Sequence, residues 1–161
     1  MKMMQTLKPE ARRSAAGQRL YDDLQALPSG KRLSAGQLEV IYALAYAQFT
    51  QGQYAQALPV FGVLSIYGPT RQHYIAGLAL CLQMCKRHED AINVYSMQAV
   101  LFPGSPEPAL RVAECLLALG RAGEAREELE RALRCIAETG GAYDALKARA
   151  EMLLGLAVRQ S

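Results

Sequence analysis

With 161 residues, the chain has the length of one ordinary domain, enough to bury roughly two thirds of its unfolded surface without disulfides or metals. The apolar fraction of 51% is carried by Ala and Leu rather than by β-branched residues, and Trp is absent, which favours helix throughout. Of the net charge of +3, the leading segment takes all the excess: residues 1–32 hold seven Lys/Arg and three acids, leaving 11 bases against 12 acids elsewhere, so a folded basic stripe for nucleic acid is not expected.

In chain order, residues 1–8 carry little pattern and are expected to be mobile. Met1 to Leu20 contains bases but no following apolar run, so it does not read as a secretory signal, and no stretch approaches the roughly 20 apolar residues of a membrane span. A cytoplasmic protein is the expectation. From Pro9 a helix is predicted, with Ala16, Leu20, Leu24 and Leu27 in one stripe, until Pro28-Ser29-Gly30-Lys31-Arg32 breaks it. That stripe has to bury itself on the body or on another copy of the chain.

Ser34 is an N-cap candidate for the next helix. In that helix Tyr42, Tyr46 and Phe49 fall at i, i+4 and i+7, which puts three rings on one side. Such a stripe is either core or binding surface. Self-similarity decides how it is read. A shift of 34 residues aligns Ala45 with Ala79 and Ala113, Ala57 with Ala91 and Ala125, and Phe61 with Tyr95 and Leu129; Gly52, Lys86 and Gly120 share a turn, and Pro69 and Pro103 a closing position. This is the tetratricopeptide pattern, with two clean copies and a looser third that has Ala137 where the closing Pro would stand. The expected fold class is all-α: three repeats in a right-handed superhelix, a leading helix, and a C-terminal capping helix from about 142 to 158 along Tyr143, Leu146, Ala150, Leu153 and Ala157. The expected division is 1–36 for the leading segment and 37–158 for the repeats and cap.

Four cysteines do not make a metal site on this reading. Cys81 and Cys85 are one helical turn apart and His88 follows at three more, whereas zinc ligands are usually spaced in a turn rather than along a helix, and Cys81 and Cys115 share the position of Ala47, as small buried fillers. No cofactor or metal is expected. Catalysis is not expected either, since the two histidines, His73 and His88, accompany no nucleophile elbow, phosphate loop or acid pair.

With Ile41, Leu44, Ala45 and Gln48 as packing positions of the first repeat, Tyr42, Tyr46 and Phe49 are expected on the concave face. His73, Ala76, Gly77, Leu80, Gln83 and Met84 join them from the second repeat, and Glu107, Leu110, Glu114 and Leu117 from the third. Glu107 and Glu114 read as a solvated edge. A mostly apolar groove suits an extended peptide, and without inward Lys, Arg and Asn it does not suit an acidic C-terminal carboxylate.

The run Ile41 to Phe49, the Tyr67-Gly68-Pro69 loop, Tyr74 to Leu78, Ala91 to Tyr95 and Ala113 to Leu117 together resemble the class II chaperones of type III secretion systems, over about residues 33–157. The resemblance implies a groove that holds an extended segment of hydrophobic translocator proteins and keeps them soluble before export. It also implies aromatic groove positions at Tyr42, Tyr46 and Phe49, and a homodimer in the absence of client through Leu20, Leu24 and Leu27. A generic tetratricopeptide scaffold, or an effector chaperone, is the alternative.

Overall fold

The computed structural model describes residues 12–160, so the segment expected to be mobile and the helix start predicted at Pro9 lie outside the described residues. Eight α-helices and one 3-10 turn make up the regular structure among the described residues: α1 (Ala15–Ala26), the turn (Pro28–Lys31), α2 (Ala35–Thr50), α3 (Tyr54–Tyr67), α4 (Gln72–Met84), α5 (His88–Leu101), α6 (Glu107–Ala118), α7 (Ala122–Glu138) and α8 (Asp144–Gln160). From α2 onward each helix packs on the next, giving three antiparallel hairpins and a final helix. In addition α2 touches α4 and α6 touches α8, and no two of the second helices α3, α5 and α7 approach each other as closely. The first helices of the hairpins therefore line the inner side of the curve.

Local chemistry places the ends of these helices. Ser14 caps α1 by accepting from the Gly17 N–H at 3.0 Å. Ser34 and Gln37 form a reciprocal capping box that starts α2: Ser34 Oγ accepts from the Gln37 N–H at 3.2 Å, and the Ser34 N–H donates to Gln37 Oε1 at 2.8 Å. The turn within each hairpin is the same object three times. The N–H groups of Gln53, Arg87 and Arg121 donate to the carbonyls of Gln48, Leu82 and Leu116, each at 2.9 Å, around Gly52, Lys86 and Gly120 with φ of 75°, 63° and 75°. This is a left-handed helix stop, which suits glycine and strains a lysine. α3 and α5 stop before Pro69 and Pro103, whereas α7, which has no such proline, runs on to 17 residues against 14 in each of the other two.

Packing follows the repeat. Ala45, Ala79 and Ala113 are fully buried, as are Ala57, Ala91 and Ala125, and Phe61, Tyr95 and Leu129 fill the space beyond them. Gly77 belongs to this layer: a Cβ there would lie 2.1 Å from Phe61 Cε1. Cys81 and Cys115 are buried too, and burial pushes their thiols up to about 12 and about 11. α8 covers the far end of the third hairpin with Ala150, Leu153 and Ala157.

The opposite end is different. Ile41, Leu44, Ala45 and Gln48 were expected to pack, but Leu44 is 55% exposed, and Val40 and Ala47 beside it are exposed as well. Their equivalents Tyr74, Leu78 and Cys81, and Pro108, Val112 and Cys115, pack against the second helix of the preceding hairpin, which the first hairpin does not have. The leading helix does not take that place. Its Gly17 presses on Val100 and its Arg13 Nε donates to the Leu101 carbonyl at the end of α5, with the guanidinium 3.8 Å over the Tyr21 ring, which meets Phe102 edge-on. The 3-10 turn sits by Tyr67 and Pro69 at the end of α3. Of the predicted stripe, Leu24 is half-buried, while Ala16, Leu20 and Leu27 stay exposed, because α1 docks through Gly17 and Arg13 instead.

Lys86→Gly should stabilise the protein by about 0.5–1 kcal/mol, raising Tm by roughly 2–4 °C in thermal unfolding, because it relieves the one non-glycine residue among the three turns. Gly77→Ala should cost about 1–3 kcal/mol in denaturant unfolding, since the Phe61 ring it would strike is itself buried.

Candidate functional site

Four rows of residues, each spaced by 34, run along the inner helices α2, α4 and α6: Glu39, His73 and Glu107; Tyr42, Ala76 and Leu110; Tyr46, Leu80 and Glu114; Phe49, Gln83 and Leu117. Side chains at equivalent positions of stacked helices become neighbours, so the rows cross the wall from the first hairpin to the third.

The predicted site residues separate into two groups by exposure. Tyr46, Phe49, His73, Ala76, Leu80 and Leu117 are half-buried and Met84 is exposed, so these seven have surface to offer. Tyr42 is 7% exposed, and Gly77 and Leu110 are buried. Gly77 is covered by Phe61 and Leu110 lies in the core around α5 and α6, so both support the wall from behind and present no surface. Tyr42 is the hub of an aromatic cluster. Its ring centroid lies 6.0 Å from Tyr46, 6.1 Å from Phe61, 5.7 Å from Tyr74 and 4.8 Å from His73, which it meets edge-on. Burial raises its phenol above the ordinary range. Phe49 is farther along, stacked edge-on with Tyr54 at 5.1 Å.

Beside these rings is a carboxylate that the aromatic pattern does not reveal. Glu39 Oε1 accepts from the Tyr74 hydroxyl at 2.7 Å and meets His73 Nε2 at 3.1 Å. The Tyr74 hydroxyl, and then His73 and the more distant Arg71, hold the Glu39 carboxyl below its usual range against the opposing effect of burial. Burial first, and the Glu39 carboxylate next, push the Tyr74 phenol well up. The signal for Glu39 was available in the sequence, since it stands 34 residues before His73.

Toward the third hairpin the wall turns polar. The Tyr95 hydroxyl donates to Gln83 Oε1 at 2.8 Å, Gln83 Nε2 donates to Glu114 Oε2 at 3.1 Å, and Arg111 Nη1 approaches the same oxygen at 3.4 Å. Arg149 of α8 pairs with Glu114 Oε1, and Arg111 Nη2 reaches Glu107 at 3.6 Å. Glu114 is therefore not the solvated edge residue its spacing suggested: its side chain is 13% exposed and ties α4, α6 and α8 together. A buried carboxylate supplied with three donors is a structural joint. No group of three or more His, Cys, Asp or Glu side chains able to hold a metal occurs among the described residues, and no described helix is long and apolar enough to cross a membrane.

Comparison with known proteins agrees with this geometry. Tetratricopeptide repeat family profiles match residues 38–70 and 86–150. The low calcium response locus protein H of Yersinia pestis is 33% identical over 106 residues, which are 66% of this chain and 63% of that protein, so the match spans less than two thirds of the relative's length. Among solved structures, SycD of Yersinia enterocolitica in complex with a peptide of the translocator YopD superposes with a TM-score of 0.74 at 30% identity, covering 81% of this chain and 98% of that one. PcrH of Pseudomonas aeruginosa in complex with the chaperone-binding region of PopD gives a TM-score of 0.74 at 30% identity over 80% and 96%. With the repeat frame, the inner wall and this coverage in agreement, the chain belongs to the tetratricopeptide translocator chaperones of type III secretion, the family of SycD and PcrH.

Proposed function

We propose that this protein is a cytoplasmic, non-enzymatic chaperone that holds an extended apolar segment of type III secretion translocator proteins along its inner wall and keeps them soluble until export. One observation carries the reading: Tyr46, Phe49, Ala76, Leu80, Met84 and Leu117 leave an apolar and aromatic surface on three stacked inner helices, in a chain whose relatives SycD and PcrH are seen with a peptide of the translocator YopD and with the chaperone-binding region of PopD. The wall replaces water around apolar side chains that would otherwise associate with one another. Tyr42 fixes the rings from beneath, while Tyr46 and Phe49 meet the ligand.

Residues 1–36 serve on this reading as the leading segment and 37–158 as the client-binding unit. Without client the chain forms a homodimer, for which two surfaces stand ready: Leu20 and Leu27 on α1, and the bare face of α2 around Val40 and Leu44. A dimer of SycD has been solved.

Tyr46→Ala and Phe49→Ala should each weaken binding by about 1–3 kcal/mol, seen as loss of the translocator co-purified from co-expression with the genes encoded beside it, while circular dichroism stays unchanged. Retention of the client by the double variant would sink the groove assignment. Leu44→Glu should shift the client-free protein toward monomer in sedimentation velocity and leave client retention intact, because Leu44 faces away from the inner wall.

A further inference from the structure

The Glu39, His73 and Tyr74 cluster gives the wall a polar anchor with fixed direction. A carboxylate can only accept, so the 3.1 Å contact between Glu39 Oε1 and His73 Nε2 requires the proton to sit on Nε2. The Tyr74 hydroxyl at 2.7 Å holds the same oxygen in place, and the Tyr42 and Tyr74 rings, at 4.8 and 4.3 Å from the imidazole, hold its plane. In the neutral ring Nδ1 is then left as an acceptor. The first half of the wall is otherwise made of rings and aliphatic groups, whereas an extended peptide carries an N–H on every residue except proline that has to be satisfied when it leaves water.

We infer that His73 is the residue that fixes the register of the bound segment, accepting a backbone N–H of an extended apolar peptide at Nδ1, with Glu39 and Tyr74 as positioning residues that hold its tautomer. This rests on the inner-wall reading of the site. Glu39 and Tyr42 from α2 and Tyr74 beside it on α4 face the imidazole, and Arg71 acts on the same carboxylate.

Two measurements test it. In the free full-length protein, nitrogen–proton correlation spectra of the imidazole at about pH 8 should show His73 protonated at Nε2 alone, and Glu39→Gln should mix the tautomers. Titration calorimetry at about pH 8 with three probes, the chaperone-binding regions of PopD and PopB and the YopD peptide, should show His73→Phe, which keeps a ring against Tyr42, binding about fivefold more weakly than the wild type. An Nδ1–H tautomer in the free protein, or a His73→Phe variant with wild-type affinity, would overturn the assignment of His73 while leaving the inner wall as the client site. Failure of the wild type to bind all three probes would overturn the wall reading itself, and the assignment with it.

Discussion

The contact on which everything else depends is the close approach of two helices across alanine. Ala45 against Ala57, and their equivalents at 79 and 91 and at 113 and 125, are all buried to zero exposure. At these positions a larger side chain would push the two helices of a hairpin apart. Hairpins that close this tightly stack on one another in chain order, and the array sets α2, α4 and α6 along its inner side. The inner wall is thus a by-product of small residues buried behind it.

That origin explains how much of the molecule was legible. A constraint repeated every 34 residues writes itself into the sequence three times, so the hairpins, their turns and the cap could be located before any coordinates. The leading helix is held by single events. Gly17 against Val100 and Arg13 on the Leu101 carbonyl occur once, and neither leaves a periodic mark, so the apolar stripe of α1 does not reveal which face docks on the body. Depth within the wall was illegible for a related reason. Tyr42 and Tyr46 differ by one turn of the same helix, yet Tyr42 is enclosed by Phe61, Tyr74 and His73, which come from other parts of the chain. Helical spacing gives a side and says nothing of what else arrives there.

The wall also shows a division of labour between its two ends. Around Tyr42 the stacking is aromatic, with a single carboxylate serving two donors. Around Glu114, Gln83 and Glu107 stand at the repeat positions of Phe49 and Glu39, and Arg111 and Arg149 pair with the carboxylates. Charges paired in this way join α4, α6 and α8 and stiffen the third hairpin against its cap. The first two hairpins are joined instead through ring contacts, with α1 packed on the outer helix of the second.

The bare face of α2 has a consequence for symmetry. A stack of hairpins has two unlike ends, and two unlike sticky ends would string copies into an open filament. Here α8 covers the core at one end, although its own Met152, Leu156 and Val158 stay exposed, and the Val40 and Leu44 face is bare at the other. An end matched by the same end of another copy gives a two-fold arrangement that closes on itself and stops at two, and a homodimer through the α2 face would be of this closed kind.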